Sequence, residues 1–209
     1  MTKSKFVIIY DTYCGWCYGA APVFDALVES GAEVEALHRH LFQGPLAYRM
    51  NEGKGAQVLK ADAQIQALTG QEFSEAYREN VVLSDTEVLA SHYTAQAAAL
   101  VHDQGVEKEF SVRRRLEIAR YIEGVSAANR DAVISALVEE GVEQEQAEKI
   151  GSPALIEKAT RTTREASNLM EKVGAFGVPT VLKVVGDNIT VVDHAMYYAA
   201  PEKITELVD

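Results

Sequence analysis

The side chains best suited to covalent redox chemistry in this 209-residue chain are its two cysteines, Cys14 and Cys17. They stand in the segment Tyr10-Asp11-Thr12-Tyr13-Cys14-Gly15-Trp16-Cys17-Tyr18. Two intervening residues bring both sulfurs within one helical turn, so the pair can close a disulfide. As a dithiol, one sulfur can attack a disulfide and the other can resolve the mixed disulfide. Two cysteines are too few for a disulfide scaffold. The competing use is half of a zinc site, which needs about four ligands. The nearby candidates are His38 and His40, two apart on an expected strand and therefore on one face. A strand–C-x-x-C–helix context favours thiol chemistry over zinc, and no metal is expected.

The elements that must position the pair follow from the pattern around it. Residues 5–10 are β-rich and apolar after Lys5, as in a strand buried on both faces. From Trp16 onward, Ala20, Val23, Phe24, Leu27 and Val28 recur at helical spacing, with Pro22 in the early turns and Gly31 as a stop. Cys14 then lies at the carboxyl end of a strand and the amino end of a helix, where open α/β sheets place ligand sites. Unpaired N–H groups and the helix dipole favour an anion there, which for this residue is the thiolate. A β-like stretch from about Val34 to Phe42 completes a right-handed βαβ unit. A second feature agrees with the first. Gly177-Val178-Pro179-Thr180 directly precedes a β-run. A cis Val178–Pro179 bond would set Pro179 beside the cysteines and leave the Val178 backbone free to pair with an extended peptide.

Between these two features the chain reads as helical, with Gly44-Pro45 as the break. Gly70 ends one helix. Ser84 with Glu87 resembles a capping box opening a helix toward Gly105. A further helix spans about Glu107 to Glu123, and Asn129 caps one that ends near Gly141. A short helix reaches Gly151. Ser152 and Pro153 then start a helix that runs to Val173 and stops at Gly174. The tail returns to β as Thr180–Val185, a Gly186-Asp187-Asn188 turn and Ile189–Val192, followed by a short helix from Pro201 to Val208. The expected architecture is α/β, with a sheet of about four strands. One discontinuous domain is formed by residues 1–44 and 151–209, and residues 45–150 form a helical insertion.

Other residues have two readings each. Asp11, three residues before Cys14, is a candidate proton relay to Cys17 through water, or a loop-capping carboxylate. Trp16 can shield the disulfide and touch substrate, or pack on the insertion. His40, and more weakly His38, can approach the site or serve the core. Arg113-Arg114-Arg115 point in different directions around a helix and read as a solvated face, with an anion site as the minor alternative. The net charge of −11 argues against a nucleic-acid binder, which needs a basic surface. No apolar run approaches the roughly 20 residues of a membrane span, and no secretory apolar core of about 7–15 residues is present. These features set the expectation of a cytoplasmic protein without nucleic-acid or membrane partners.

The motif Asp-x-x-Cys-x-Trp-Cys-Tyr, here Asp11, Cys14, Trp16, Cys17 and Tyr18, with Pro22 downstream, resembles the DsbA-like branch of the thioredoxin superfamily. It is most similar to the FrnE-type members without signal peptides. Thr69-Gly70 followed by Phe73 and Tyr77 resembles that group's insert, and the likeness covers nearly the whole chain. The resemblance implies a thioredoxin-like fold with a helical insertion, Cys14 as nucleophile, Cys17 as resolving thiol and Pro179 as the cis-proline. It implies a thiol–disulfide oxidoreductase that reduces or isomerises disulfides of proteins or peptides, with no organic cofactor and with glutathione as a candidate co-substrate. Gly15 departs from the proline or serine of several relatives. Gly15-Trp16 brings no cation to the pair, so the expected potential is intermediate, roughly −150 to −250 mV. Two alternatives stand beside this reading. One is a glutathione-dependent isomerase or kappa-type glutathione transferase acting on a small aromatic substrate. The other is a peptide-binding holdase.

Overall fold

The computed structural model describes residues 4–51 and 53–208. Strand β1 (Lys5–Tyr10), helix α1 (Gly15–Glu29) and strand β2 (Glu33–His38) form the expected βαβ unit. β1 and β2 run parallel, and Tyr10 stands opposite His38. The chain then passes through the short strand β3 (Tyr48–Arg49), helix α2 (Lys54–Thr69) and the one-turn helix α3 (Glu75–Tyr77), which continues as a π-helical turn over Arg78–Val82. Strand β4 (Val88–Leu89) and helices α4 (His92–Val101), α5 (Val106–Tyr121), α6 (Arg130–Glu139) and α7 (Gln144–Ala147) follow. The long helix α8 (Pro153–Val173) leads back to strands β5 (Thr180–Val185) and β6 (Asn188–Val192). Two 3₁₀ helices, His194–Tyr197 and Pro201–Leu207, end the chain.

The main sheet has the order β2-β1-β5-β6. β5 lies antiparallel to β1 with Ile9 opposite Thr180, so the segment before Thr180 arrives beside the end of β1. Alternation along β1 divides its side chains between two cores. Phe6, Ile8 and Tyr10 pack with Val23, Phe24 and Leu27 of α1. Val7 and Ile9 pack with Leu37, Leu182 and the Ala166 and Met170 side chains of α8. Each large apolar side chain sealed in this way contributes roughly 1.5–3 kcal/mol. α8 serves two cores, because Leu155 and Ala159 in its first turns join the cluster formed by the inserted helices.

Local chemistry accounts for the bounds of α8. The Ser152 hydroxyl accepts from Leu155 N–H, Pro153 starts the first turn, and Gly174 ends the helix at φ 69°. Asn129 likewise caps α6 by accepting from Ala132 N–H. The helix expected to begin at Ser84–Glu87 does not. Ser84 Oγ accepts from Glu87 N–H at 3.1 Å, but the Glu87 carboxylate is taken up by Arg120, Ser126 and the Ala127 N–H. Val88 and Leu89 then pair with β3 instead, and helix resumes only at His92. The second strand is also shorter than its apolar pattern suggested. It ends at His38, because Leu41 N–H turns to Asp11 and Phe42 N–H to Ser91. His40 therefore lies in a loop and does not share a strand face with His38.

Candidate active site

Cys14 is the N-cap of α1, and Tyr18 N–H donates to its carbonyl at 3.0 Å. Both cysteines are free and buried. Cys14 retains 7% exposure and Cys17 none, so one sulfur is reachable and the other is sealed one turn inside the helix. Burial pushes the Cys17 thiol well up, and its hydrogen bond to Cys14 acts in the same direction. The peptide bond Val178–Pro179 is cis, as the sequence suggested. The Val178 carbonyl lies 3.7 Å from Cys14 Sγ, which puts the segment before β5 beside the reachable sulfur.

The loop before Cys14 is held from three sides. Cys14 N–H donates to the Asp11 carbonyl at 3.1 Å, and Thr12 N–H to His38 Nε2 at 3.2 Å. Tyr13 N–H donates to Asp11 Oδ1 at 2.8 Å. The other oxygen, Oδ2, accepts from Leu41 N–H at 2.8 Å and from the Ser91 hydroxyl at 2.5 Å. The Asp11 carboxyl is therefore occupied by three donors that tie the loop to the β2 exit and to the start of α4. Burial raises it above the usual carboxylate range against those donors. Toward Cys17 it is the Asp11 backbone that reaches, with N–H donating to Sγ at 3.5 Å.

His38 touches the loop before Cys14 through Thr12, and His40 lies near enough to Asp11 to feel its charge. His38 is 2% exposed, and burial lowers it to about 3, so it is a neutral acceptor for the loop backbone. Burial lowers His40 to about 4 in spite of the nearby Asp11 charge. Among the described residues, no group of three or more His, Cys, Asp or Glu is placed to hold a metal. Trp16 is half-buried and stands between the cysteines and the insertion. It contacts the cluster containing Cys14 and Cys17, and it lines a cavity on the insertion side. Tyr198, half-buried, approaches from the C-terminal segment and is raised to about 12, mainly by burial and further by the two sulfurs.

That cavity, of about 160 Å³, opens between Cys14 and the insertion. Gly15 keeps its wall open, since a Cβ there would come within 3.2 Å of Ile65 and 3.4 Å of Asp62. Gly19, one turn on, lets α1 and α2 approach so closely that a Cβ would stand 2.6 Å from Ile65. Asp62, Arg120 and Tyr121 also face the cavity. Sequence reading passed over these three and Ser91. A signal for the α5 pair does exist, because Phe110, Arg113, Glu117 and Arg120 share one helical face and all are buried. The same face corrects the reading of Arg113 as solvated. It is 1% exposed and ion-paired with Asp25 at 2.6 Å and Glu117 at 3.2 Å, while Arg114 and Arg115 stay on the outer side.

Comparison with known proteins agrees with this geometry. The structure of the cytosolic disulfide reductase DsbM from Pseudomonas aeruginosa is 26% identical, with a TM-score of 0.84 over 97% of this chain and 96% of that one. The same protein with GSH gives 25% identity and a TM-score of 0.79 over 97% and 96% of the two chains. MdbA, a thiol-disulfide oxidoreductase from Corynebacterium matruchotii, shares the fold at 14% identity, with a TM-score of 0.59 over 94% and 80%. No curated protein matches significantly in sequence. The description "DSBA-like thioredoxin domain" matches residues 6–197, and with a Cys-x-x-Cys at the head of α1 beside a cis-proline, the chain belongs to that family of thiol-disulfide oxidoreductases.

Proposed function

We propose that this protein reduces or isomerises disulfides of proteins and peptides, with Cys14 attacking and Cys17 resolving. The observation that carries the reading is the contrast between the two sulfurs, one reachable beside the Val178 carbonyl and one sealed behind it. The Cys14 thiolate attacks a substrate disulfide and one substrate thiol leaves. Cys17 then loses its proton, attacks the Cys14 sulfur and releases the second substrate thiol, leaving a protein disulfide. The Val178 backbone and Trp16 would hold the extended segment around the target sulfur, with Pro179 fixing the course of the loop that carries Val178. Asp11 acts as a positioning residue for the loop. The chemistry needs no metal or organic cofactor, and a small thiol such as glutathione would return the disulfide to dithiol. Gly15-Trp16 supplies no cation to hold the reduced pair as strongly as a histidine would. An intermediate potential follows, and it suits a reductant working in the cytoplasm. Similarity to a cytosolic disulfide reductase supports both the direction and the compartment.

The test is insulin reduction by wild type, Cys14→Ser and Cys17→Ser. Cys14→Ser should abolish reduction. Cys17→Ser should accumulate a mixed disulfide on Cys14, visible by mass spectrometry. Full activity without Cys17 would point to a glutathione-dependent transferase or isomerase. Peptide binding that survives loss of both sulfurs, without reduction by wild type, would point to a holdase.

A further inference from the structure

The cavity beside Cys14 is lined by three buried side chains that each keep at least one polar atom without a hydrogen-bond partner among the described residues. Arg120 is 1% exposed, and its Nε and Nη2 have none. Asp62 is 6% exposed with Oδ2 open, and Tyr121 is 1% exposed with its hydroxyl open. Arg120 is held in place by Glu87 at 3.1 Å and by the Tyr13 ring, whose centroid lies 4.5 Å from the guanidinium. Asp62 is hydrogen-bonded by Tyr77 and forms no ion pair among the described residues. A buried donor or acceptor left open costs about 1–3 kcal/mol, and more when charged. Three such groups around one cavity, with a thiol on its wall, describe a site whose ligand supplies what is missing.

We propose that this cavity takes the free α-amino-acid end of a cysteine, so that cystine-type small disulfides are substrates, with Arg120 holding the α-carboxylate and Asp62 the α-ammonium. The proposal rests on the thiol–disulfide reading above and names a substrate class for the same sulfur. At about 160 Å³ the cavity lies well below the roughly 300 Å³ at which drug-sized pockets begin, so it suits one amino-acid-sized group. Planar donors of an arginine match a carboxylate, and a second wall carboxyl that gives up its proton on binding matches an ammonium. Both charges must lie close to the ligand sulfur, because Cys14 shares the cavity wall. Free cysteine meets that condition. In glutathione both of those groups of the cysteine are tied up in amide bonds. The reaction balances without another reagent. Cys14 displaces one cysteine from cystine, Cys17 displaces the other from Cys14, and one cystine becomes two cysteines as the protein dithiol becomes a disulfide.

The experiment is single-turnover oxidation of the pre-reduced protein, followed through the fluorescence of Trp16, its one tryptophan. The disulfides are cystine, cystamine (no carboxylate), dithiodipropionate (no ammonium), glutathione disulfide and insulin, each rate divided by that with free dithiothreitol. Cystine should exceed cystamine, dithiodipropionate and glutathione disulfide by about tenfold or more, the size expected for a charged hydrogen bond. Arg120→Met and Asp62→Asn should each lower the cystine-to-insulin ratio by about tenfold. Should Arg120→Met fail to fold, Asp62→Asn decides alone. Equal normalised rates for all small disulfides, a preference for glutathione disulfide, or an unchanged ratio in Asp62→Asn would overturn the proposal while insulin reduction leaves the dithiol reading standing. Failure of wild type to reduce any of the disulfides would overturn both.

Discussion

Arg113 and Arg120 lie two turns apart on α5, and each is 1% exposed. The fold treats the two cations differently. Arg113 meets Asp25 at 2.6 Å and both oxygens of Glu117 at 3.2 Å, and its guanidinium lies 4.5 Å from the Phe110 ring centroid and 5.8 Å from that of Phe24. Only its Nε is open. It fastens α5 to α1 through Asp25. Among the described residues Arg120 has Glu87 as its one ion-pair partner and two nitrogens without a partner, and it borders empty volume. A buried cation balanced by two carboxylates and wrapped by rings is a structural staple. The same group with two unpaired donors, in a side chain that lines a cavity, is prepared for an anion that the described residues do not provide.

The contrast can be broken most strongly at Arg113. Replacing it with Met leaves Glu117 buried without its counter-charge, and urea unfolding should show a loss of about 3–5 kcal/mol. Arg120→Met should cost less, because Glu87 keeps the Ser126 hydroxyl and the Ala127 N–H. Equal losses would mean that both arginines are staples.

A smaller effect is expected in the pH dependence of Asp62. Burial raises it from 3.8 to about 7. The folded protein then keeps a proton that the unfolded chain releases, so this stabilising contribution is present in acid and fades as pH rises from about 4 through 7. Asp62→Asn should remove the dependence, so the variant gains on wild type between pH 5 and pH 8. A stability difference that stays flat in urea titrations across that range would show Asp62 to be paired in the folded state.

The smallest effect sharpens the comparison at Tyr121. Its ring stacks on Tyr18 at 4.3 Å, while its hydroxyl has no partner. Tyr121→Phe keeps the stack and removes a buried polar atom that has no partner among the described residues, so the variant should gain about 1 kcal/mol on wild type. A loss instead would reveal a hydrogen bond to the phenol.

The parts of the site legible in the sequence are those encoded over a few residues. The Cys14–Cys17 spacing, the β1–α1 junction, the proline before β5 and both ends of α8 each follow from a turn, a cap or a periodicity read within about ten positions. Ser84–Glu87 shows the limit of that reading. Its local bond forms, yet a distant arginine and the Ala127 amide claim the carboxylate, and the local signal loses.

The sequence by itself determined the reactive pair, the strand and helix that carry it and the cis-proline segment. Short-range sterics and hydrogen bonding act on neighbours in the chain. Only the tertiary structure decided that Ser91 would anchor Asp11, that His38 would hold the loop and that Arg113 would be buried. The same holds for the meeting of Asp62, Arg120 and Tyr121 at the wall of Cys14. Apart from the neighbours Arg120 and Tyr121, those partners lie tens of residues apart. What joins them is the packing of α2 and α5 against α1, and polarity at a single position does not reveal which long-range neighbour will answer it.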